Sequence, residues 1–188
     1  VTTSGMTLSR ACSSGLNAIS VAANQIASGC GDIAIAGGVE SITGLERGKS
    51  GFEDNPRLVA ELPQYLMPMG VTAEIVASRY RVTREQQDEY ALQSQQRYAA
   101  AVKAGYVDDE IAPMTVNWRR EDRKTGEVEI LEGVVSRDEC NRPATTLEDL
   151  AALKPVFDEN GTVTAGNASQ LSDGASMTLL MSERAAIE

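Results

Sequence analysis

The chain contains 188 residues, of which 42% are hydrophobic and 23% are charged, and this ordinary globular composition argues against disorder. Its formal net charge is -10 and no lysine- and arginine-rich run occurs, so nucleic acid is a poor candidate partner. No stretch reaches the roughly 18 apolar residues that a membrane-spanning helix needs, so no membrane span is predicted.

The cysteines indicate a reducing compartment. Cys12, Cys30 and Cys140 are too few and too scattered for a disulfide framework, and no secretory signal opens the chain. The cytoplasm is therefore the predicted location, and an organelle with reducing conditions is the alternative. No metal site is predicted, because the sequence has no histidine and no C-x-x-C spacing.

The first forty residues predict a strand, a helix and a second strand. Residues 5–9 alternate apolar and small polar side chains, which is typical of a half-buried strand. Residues 13–28 predict an amphipathic helix that ends at Gly29. Residues 32–36 resemble a short buried strand, so this segment is interpreted as a βαβ unit with a right-handed crossover.

The middle of the chain has a different character. Helices are predicted at 70–80 and 83–105, and Thr83 with Gln86 has the spacing of a capping box that opens the second one. Two β-like runs at 111–118 and 127–131 then predict an exposed hairpin.

The last part of the chain returns to buried elements. A short helix is predicted at 145–153, opened by a Thr145–Glu148 capping box. Beyond residue 160 come a predicted strand, a glycine turn and a final strand at 177–181. We therefore predict an α/β fold in which residues 1–40 and 160–188 form the core and residues 41–159 form a long insertion.

Cys12 is the candidate for chemistry, and local physics leaves two interpretations open. Ser13 and Ser14 are good N-cap residues, so the sulfur would lie at the positive end of a helix, where a thiolate is favoured. Ligands also commonly bind where strands of an α/β sheet end. The simpler alternative is a buried, packed thiol, because unpaired cysteine is among the most buried residue types.

Three segments together resemble the thiolase family. They are "ACSSGLNAISVAANQIASGCGDIAIAGGVES" at 11–41, "MPMGVTAEIVASRYRVTREQQDEYALQSQQR" at 67–97 and "RPATTLEDLAALKPVFDENGTVTAGNASQLSDGAS" at 142–176. They occur in the order and spacing of that family and cover nearly the whole chain. The resemblance implies a layered α/β/α core, here partial, with an inserted loop domain at 41–159 that binds coenzyme A.

The resemblance also implies the chemistry. Cys12 would be the nucleophile that carries the acyl group as a thioester, during thiolytic cleavage of a 3-ketoacyl-CoA or the reverse Claisen condensation. The N–H of Cys12 would be one donor to the oxyanion. Acyl-CoA and CoA are then substrates in fatty acid metabolism, no permanently bound cofactor is expected, and the family suggests a homodimer or homotetramer.

Six residues match coenzyme A contacts of the family. Arg142 matches an arginine beside the adenine, and Ala165, Ala168 and Ser169 match residues that line the pantetheine channel. Met69 matches a methionine beside the pantetheine, and Phe157 is expected nearby. Other interpretations remain open for each: a solvated surface arginine for Arg142, a tight turn for residues 165–169, and plain core packing for Met69 and Phe157.

The sequence departs from the family pattern at three points. Ser9 stands where many members have asparagine, and Pro68 stands where synthetic acetoacetyl-CoA thiolases often have histidine, so "MPMG" is closer to long-chain enzymes. The family's catalytic histidines and second cysteine belong to a C-terminal half, and this sequence has no histidine. The chain is therefore interpreted as an internal fragment that is inactive alone.

Two other functions are compatible with parts of the sequence. A non-catalytic thiolase-like protein that binds CoA or lipid would keep the fold without the reaction. An α/β nucleotide-binding module would use glycine turns, but the chain lacks G-x-G-x-x-G and P-loop motifs.

Overall fold

The computed structural model describes residues 3–42, 44, 54–122 and 124–188, and the chain divides into two compact units. Unit 1 comprises Val1–Glu53 and Leu171–Glu188, and unit 2 comprises Asp54–Gln170. The units thus change after residues 53 and 170, whereas the sequence predicted boundaries after 40 and 159.

The elements follow in chain order as α1 (Ser14–Ala27), β1 (Ile33–Glu40), α2 (Pro56–Glu61), a 3-10 turn (Pro63–Leu66), α3 (Met69–Tyr80), α4 (Arg84–Lys103), β2 (Met114–Glu121), β3 (Val128–Val135), α5 (Leu147–Ala151), β4 (Gly174–Met181) and α6 (Glu183–Ile187).

Unit 1 consists of a two-stranded antiparallel sheet with α1 against it. In the sheet β1 pairs with β4, and Ile33 lies opposite Met181. The predicted helix stop at Gly29 is confirmed. Its φ of 77° suits glycine, its N–H donates to the Ile26 carbonyl at 3.0 Å, and the Cys30 N–H reaches the Gln25 carbonyl at 2.9 Å.

The predicted strand at 5–9 is wrong, and the βαβ interpretation fails with it. Residues 3–9 form no strand, and Met6 is 62% exposed. Alternating side chains suit a strand, but a strand also needs a neighbour to share its hydrogen bonds. Within the described residues β1 pairs only with β4, and that pairing is antiparallel, so no parallel crossover exists there.

In unit 2 the two longer helices and the hairpin are confirmed. The Thr83–Gln86 capping box is formed, with the Gln86 N–H donating to the Thr83 hydroxyl at 3.3 Å and the Thr83 N–H to the Gln86 side chain at 2.9 Å. β2 and β3 pair antiparallel as predicted.

The second predicted capping box is displaced by one residue. The residues that cap α5 are Thr146 and Asp149, not Thr145 and Glu148. Thr145 instead closes a turn, because its N–H and its hydroxyl both donate to the Arg142 carbonyl, at 3.1 and 2.8 Å. The cap therefore lies one residue later than predicted, and α5 begins at Leu147.

A carboxylate on α3 anchors the segment that follows α5. Glu74 accepts hydrogen bonds from the N–H and hydroxyl of Thr162, at 2.9 Å each, and from the Val163 N–H at 2.7 Å. Burial raises the pKa of the Glu74 carboxyl, but these hydrogen bonds together lower it by more, so its pKa lies below the ordinary value of 4.5.

We expect Glu74→Gln to lower the free energy of unfolding by about 2 kcal/mol at pH 7, because an amide cannot accept all of these hydrogen bonds. A carboxyl with a lowered folded-state pKa stabilises the fold above its unfolded-state pKa. The difference between wild type and variant should therefore shrink as the pH falls below 4.5. Urea unfolding at several pH values measures it, with Glu89→Gln, an exposed glutamate of α4, as control. A difference that is constant with pH would contradict this role of Glu74.

Among the residues that the structure describes, no helix combines the length and apolar character required to cross a membrane.

Candidate functional site

Cys12 is exposed and lies in a tight turn that leads directly into α1. The Ser13 N–H donates to the Arg10 carbonyl at 3.2 Å, and the Ser14 N–H donates to the Ala11 carbonyl at 3.1 Å. Ala11 has a φ of 49°, in the left-handed region that residues with a Cβ rarely adopt. Such strain is concentrated at functional sites, and exposure contradicts the alternative of a buried, packed thiol.

The start of α1 is left uncapped, which differs from the expectation that a serine would cap it. The hydroxyls of Ser13 and Ser14 donate backward, to the carbonyls of Arg10 and Ala11 at 2.8 and 2.7 Å, and no side chain caps the helix. Among described residues, the N–H groups of Cys12, Gly15 and Leu16 have no acceptor. No acidic residue occupies the first turn. The positive end of the helix dipole is therefore uncompensated beside Cys12.

Two glycines bring this turn close to the sheet. A Cβ added to Gly38 of β1 would lie 3.3 Å from the Cα of Gly15, so the backbones of α1 and β1 approach directly. The glycines of the segments "CSSG" and "AGGVES" thus fix where the helix that follows Cys12 begins relative to the sheet.

Unit 2 contains an open pocket of about 790 Å³ that gathers four of the six predicted coenzyme A contacts. Arg142, Ala165, Ala168 and Ser169 all line it. Arg142 carries the only positive charge among the described residues that line the pocket. The small side chains leave room for a narrow ligand, and the single cation provides an attachment point for an anionic group.

Met69 and Phe157 do not line this pocket. Met69 is 79% exposed and borders an apolar pocket of about 370 Å³ between α3 and α4. Phe157 covers the first turn of α3, where a Cβ on Gly70 would overlap its ring, and it borders a third pocket. The structure therefore separates these two side chains from the other four predicted contacts.

α4 contributes a wall of the pocket that was not predicted from the sequence. Tyr90, Ala91, Ser94 and Gln95 line the pocket, and their spacing of one and four residues is that of a single helical face, which was a usable signal. The side-chain oxygen of Gln95 accepts from the Arg142 N–H at 2.8 Å, which fixes the backbone that carries the cation.

Comparison with known sequences identifies the family to which the chain is related. The sequence model of the family described as "Thiolase, N-terminal domain" matches residues 1–184. The chain is 45% identical over 183 residues to 3-ketoacyl-CoA thiolase 1, peroxisomal, of Arabidopsis thaliana, an alignment that covers 97% of this chain and 40% of that protein. It is 45% identical over 182 residues to the 3-ketoacyl-CoA thiolase of Bacillus subtilis, covering 96% of this chain and 46% of that protein.

Solved structures give the same relationship. The dimeric peroxisomal thiolase of Saccharomyces cerevisiae matches with a TM-score of 0.78 and 36% identity, over 96% of this chain and 44% of that one. Human mitochondrial 3-ketoacyl-CoA thiolase in complex with CoA matches with a TM-score of 0.67 and 35% identity, over 94% and 44%. The chain thus spans less than half the length of these relatives.

Proposed function

Because this chain belongs to the thiolase family and has its α/β fold, we propose that it is part of an enzyme that transfers acyl groups between a cysteine thioester and coenzyme A. The reaction is thiolytic cleavage of a 3-ketoacyl-CoA to acyl-CoA and acetyl-CoA, or the reverse Claisen condensation. The observation that carries the proposal is the exposed Cys12 at the uncapped start of α1, within a chain 45% identical to proteins named 3-ketoacyl-CoA thiolase.

In the degradative direction the Cys12 thiolate attacks the keto carbon of the substrate and forms a tetrahedral oxyanion. The C–C bond then breaks, a proton is delivered to the departing acetyl-CoA enolate, and the acyl group remains on sulfur. A second CoA thiolate accepts that acyl group and regenerates the Cys12 thiolate. The unbonded N–H groups at the start of α1 are suitable donors to the thiolate or to an oxyanion.

Proton transfer in this reaction needs a base. This sequence contains no histidine that could act as that base. By the family pattern, the histidines and the second cysteine that handle protons belong to a C-terminal half, which we propose completes the site. Unit 1 then provides the nucleophile, and unit 2 provides contacts to coenzyme A, which is a substrate rather than a resident cofactor.

The pocket in unit 2 suits the two ends of coenzyme A. Ala165, Ala168 and Ser169 form a wall of small side chains for the pantetheine, and the Ser169 hydroxyl can bond one of its amides. Arg142, which lines the same pocket, is the cation proposed to contact the adenine end with its phosphates. Met69 and Phe157 remain proposed contacts, although each borders a different pocket.

We expect Arg142→Ala to raise the Kd for CoA about tenfold, equivalent to about 1.4 kcal/mol. CoA is an anion and the chain carries a net charge of -10, so a local cation must offset the repulsion. Isothermal titration calorimetry measures the Kd. Arg137→Ala is the matched control, since it removes the same charge at an exposed position that does not line the pocket. Equal effects of the two variants would assign the change to net charge and not to contact.

An intact mass of the purified protein before and after exposure to acetoacetyl-CoA tests the proposed function. The expected result is the added mass of one acetyl group, mapped by peptide digestion to Cys12. Binding of CoA without any adduct would instead support a non-catalytic CoA- or lipid-binding protein. An adduct on Cys30 or Cys140 would reject Cys12 as the nucleophile.

We further propose a homodimer or homotetramer in a reducing compartment. The yeast relative is described as dimeric, and several relatives are described as peroxisomal. Multi-angle light scattering of the purified protein measures the assembly.

A further inference from the structure

A buried carboxylate on α4 connects two parts of the pocket wall. Asp88 is only 4% exposed, and its two oxygens accept from Arg84 Nε at 2.8 Å and from Asn167 Nδ2 at 2.9 Å. The same Arg84 donates through a terminal nitrogen to the carbonyls of Leu150 and Leu153, at 2.6 and 3.1 Å. The buried charge of Asp88 is thus paired with Arg84. Arg84 in turn ties α4 to the end of α5.

Asn167 closes the turn of residues 164–169. Its side-chain oxygen accepts from the Thr164 N–H at 2.7 Å, and its amide nitrogen also donates to the Thr162 carbonyl at 2.9 Å. The fully buried Thr164 hydroxyl accepts from the N–H groups of Gly166 and Asn167, at 3.2 and 3.4 Å. The turn is therefore rigid in itself and is held to α4 through Asp88.

The two tethered parts meet in the pocket. Ala165, Ala168 and Ser169 come from the turn, Leu150 comes from the end of α5, and Leu153 lies just after that helix. A Cβ added to Gly166 would lie 2.5 Å from Leu150 and 2.6 Å from Leu153, so the turn contacts α5 closely. A shift of the turn would consequently change the shape of the pocket.

We propose that Asp88 and Asn167 are positioning residues for the pantetheine-binding wall, an inference that rests on the proposed function. Their hydrogen bond holds the small residues of the turn in the binding position before the ligand arrives. A preorganised wall lowers the ordering cost of binding, so the bond contributes to affinity as well as to stability. Neither side chain lies among the contacts that the family resemblance assigns.

Asn167→Asp tests the proposal. It keeps the oxygen that accepts from the Thr164 N–H but sets two carboxylates side by side, which repel and displace the turn. We expect the Kd values for CoA and for free pantetheine both to rise about tenfold. Arg142→Ala should weaken CoA but leave pantetheine within about twofold, because the cation binds the other end of CoA.

Thr83→Ala separates positioning from general stability. It removes the N-cap of α4, on the same helix as Asp88, and lowers the melting temperature without altering a residue that lines the pocket. Its Kd values for CoA and pantetheine should equal those of the wild type. An equal loss of affinity in this variant would overturn the proposal, because destabilisation alone would then explain the loss.

The double exchange Asp88→Asn with Asn167→Asp supplies the rescue. It restores a donor opposite an acceptor between the two positions and keeps an acceptor for Arg84, while the bond from position 167 to the Thr162 carbonyl stays lost. Part of the pantetheine affinity should therefore return. If Asn167→Asp is too unstable to purify, the pantetheine Kd of the double exchange is compared with that of the wild type.

Two results would overturn the positioning role: wild-type pantetheine affinity in folded Asn167→Asp, or a double exchange that binds as poorly as that single variant. Absence of CoA binding in the wild type, with no acetyl adduct at Cys12, would reject the proposed function together with this inference. Wild-type binding that is unchanged in Asn167→Asp would reject the inference alone.

Discussion

In the enzyme completed by the proposed C-terminal half, we expect Cys12→Ala to lower kcat for acetoacetyl-CoA thiolysis by at least about 10³-fold, with the fold unchanged. Removal of the sulfur removes the atom that carries the acyl group. The covalent intermediate, on which the rest of the cycle depends, therefore cannot form. Because the side chain is exposed, the free energy of unfolding should change by less than about 0.5 kcal/mol.

Cys12→Ser is a second test of the same prediction. The hydroxyl has nearly the size of the thiol, but at neutral pH it is a far weaker nucleophile without a strong adjacent base. Its activity should therefore be close to that of the alanine variant, although CoA binding at the separate pocket of unit 2 should be retained. Steady-state thiolysis, calorimetric CoA binding and thermal melting together distinguish lost chemistry from lost structure.

Cys30→Ala is the matched control, because Cys30 is also exposed but follows the opposite, C-terminal end of α1. Its sulfur lies away from the start of α1, where the reaction is proposed to occur, so this variant should keep wild-type kcat. If it lost as much activity as Cys12→Ala, the assignment of Cys12 as the nucleophile would be rejected.

Local sequence signals predicted the elements of this chain well where the determining residues are near one another. The α4 capping box joins residues three apart, and the two strands of the β2–β3 hairpin are connected by a short turn. The segment 5–9 shows the limit of such signals. Its alternation is correct for a strand, but whether a strand forms depends on a neighbour that no local pattern specifies.

The pocket shows the same contrast between features that the sequence predicts and features that depend on tertiary contacts. The proposed coenzyme A contacts Arg142, Ala165, Ala168 and Ser169 were predicted through a family resemblance, whereas Asp88 and Asn167 were not predicted at all. These two lie 79 residues apart, and each alone is an ordinary polar residue. Only the fold reveals that one is a buried acceptor and the other its donor, since such pairing depends on tertiary contact.

A large loss of stability is expected from a substitution in the β1–β4 sheet. Gly37 lies in the middle of β1 opposite Met177 of β4, and a Cβ at this position would overlap the Ser176 carbonyl oxygen and lie 3.0 Å from the Met177 Cα. Both obstructing atoms belong to the backbone, so no side-chain rotation relieves the overlap. The strands must separate, with weakening of the hydrogen bonds between them.

We therefore expect Gly37→Ala to lower the free energy of unfolding by about 3 kcal/mol. Gly174→Ala is the matched control: it adds the same methyl group at the end of β4 in the same strand pair, where nothing lies within 4 Å. That variant should be neutral or slightly stabilising, because alanine reduces the entropy of the unfolded chain. Urea unfolding of both variants beside the wild type measures the difference.

The consequence should extend to the nucleophile. Gly38 follows Gly37 directly and contacts the backbone of Gly15, in the first turn of α1 beside Cys12. Displacement of β1 should therefore slow acetylation of Cys12 even in the fraction of Gly37→Ala molecules that remains folded. Equal urea midpoints and equal acetylation rates for Gly37→Ala and Gly174→Ala would contradict the close β1–β4 approach, and with it the role of the paired glycines in fixing the start of α1.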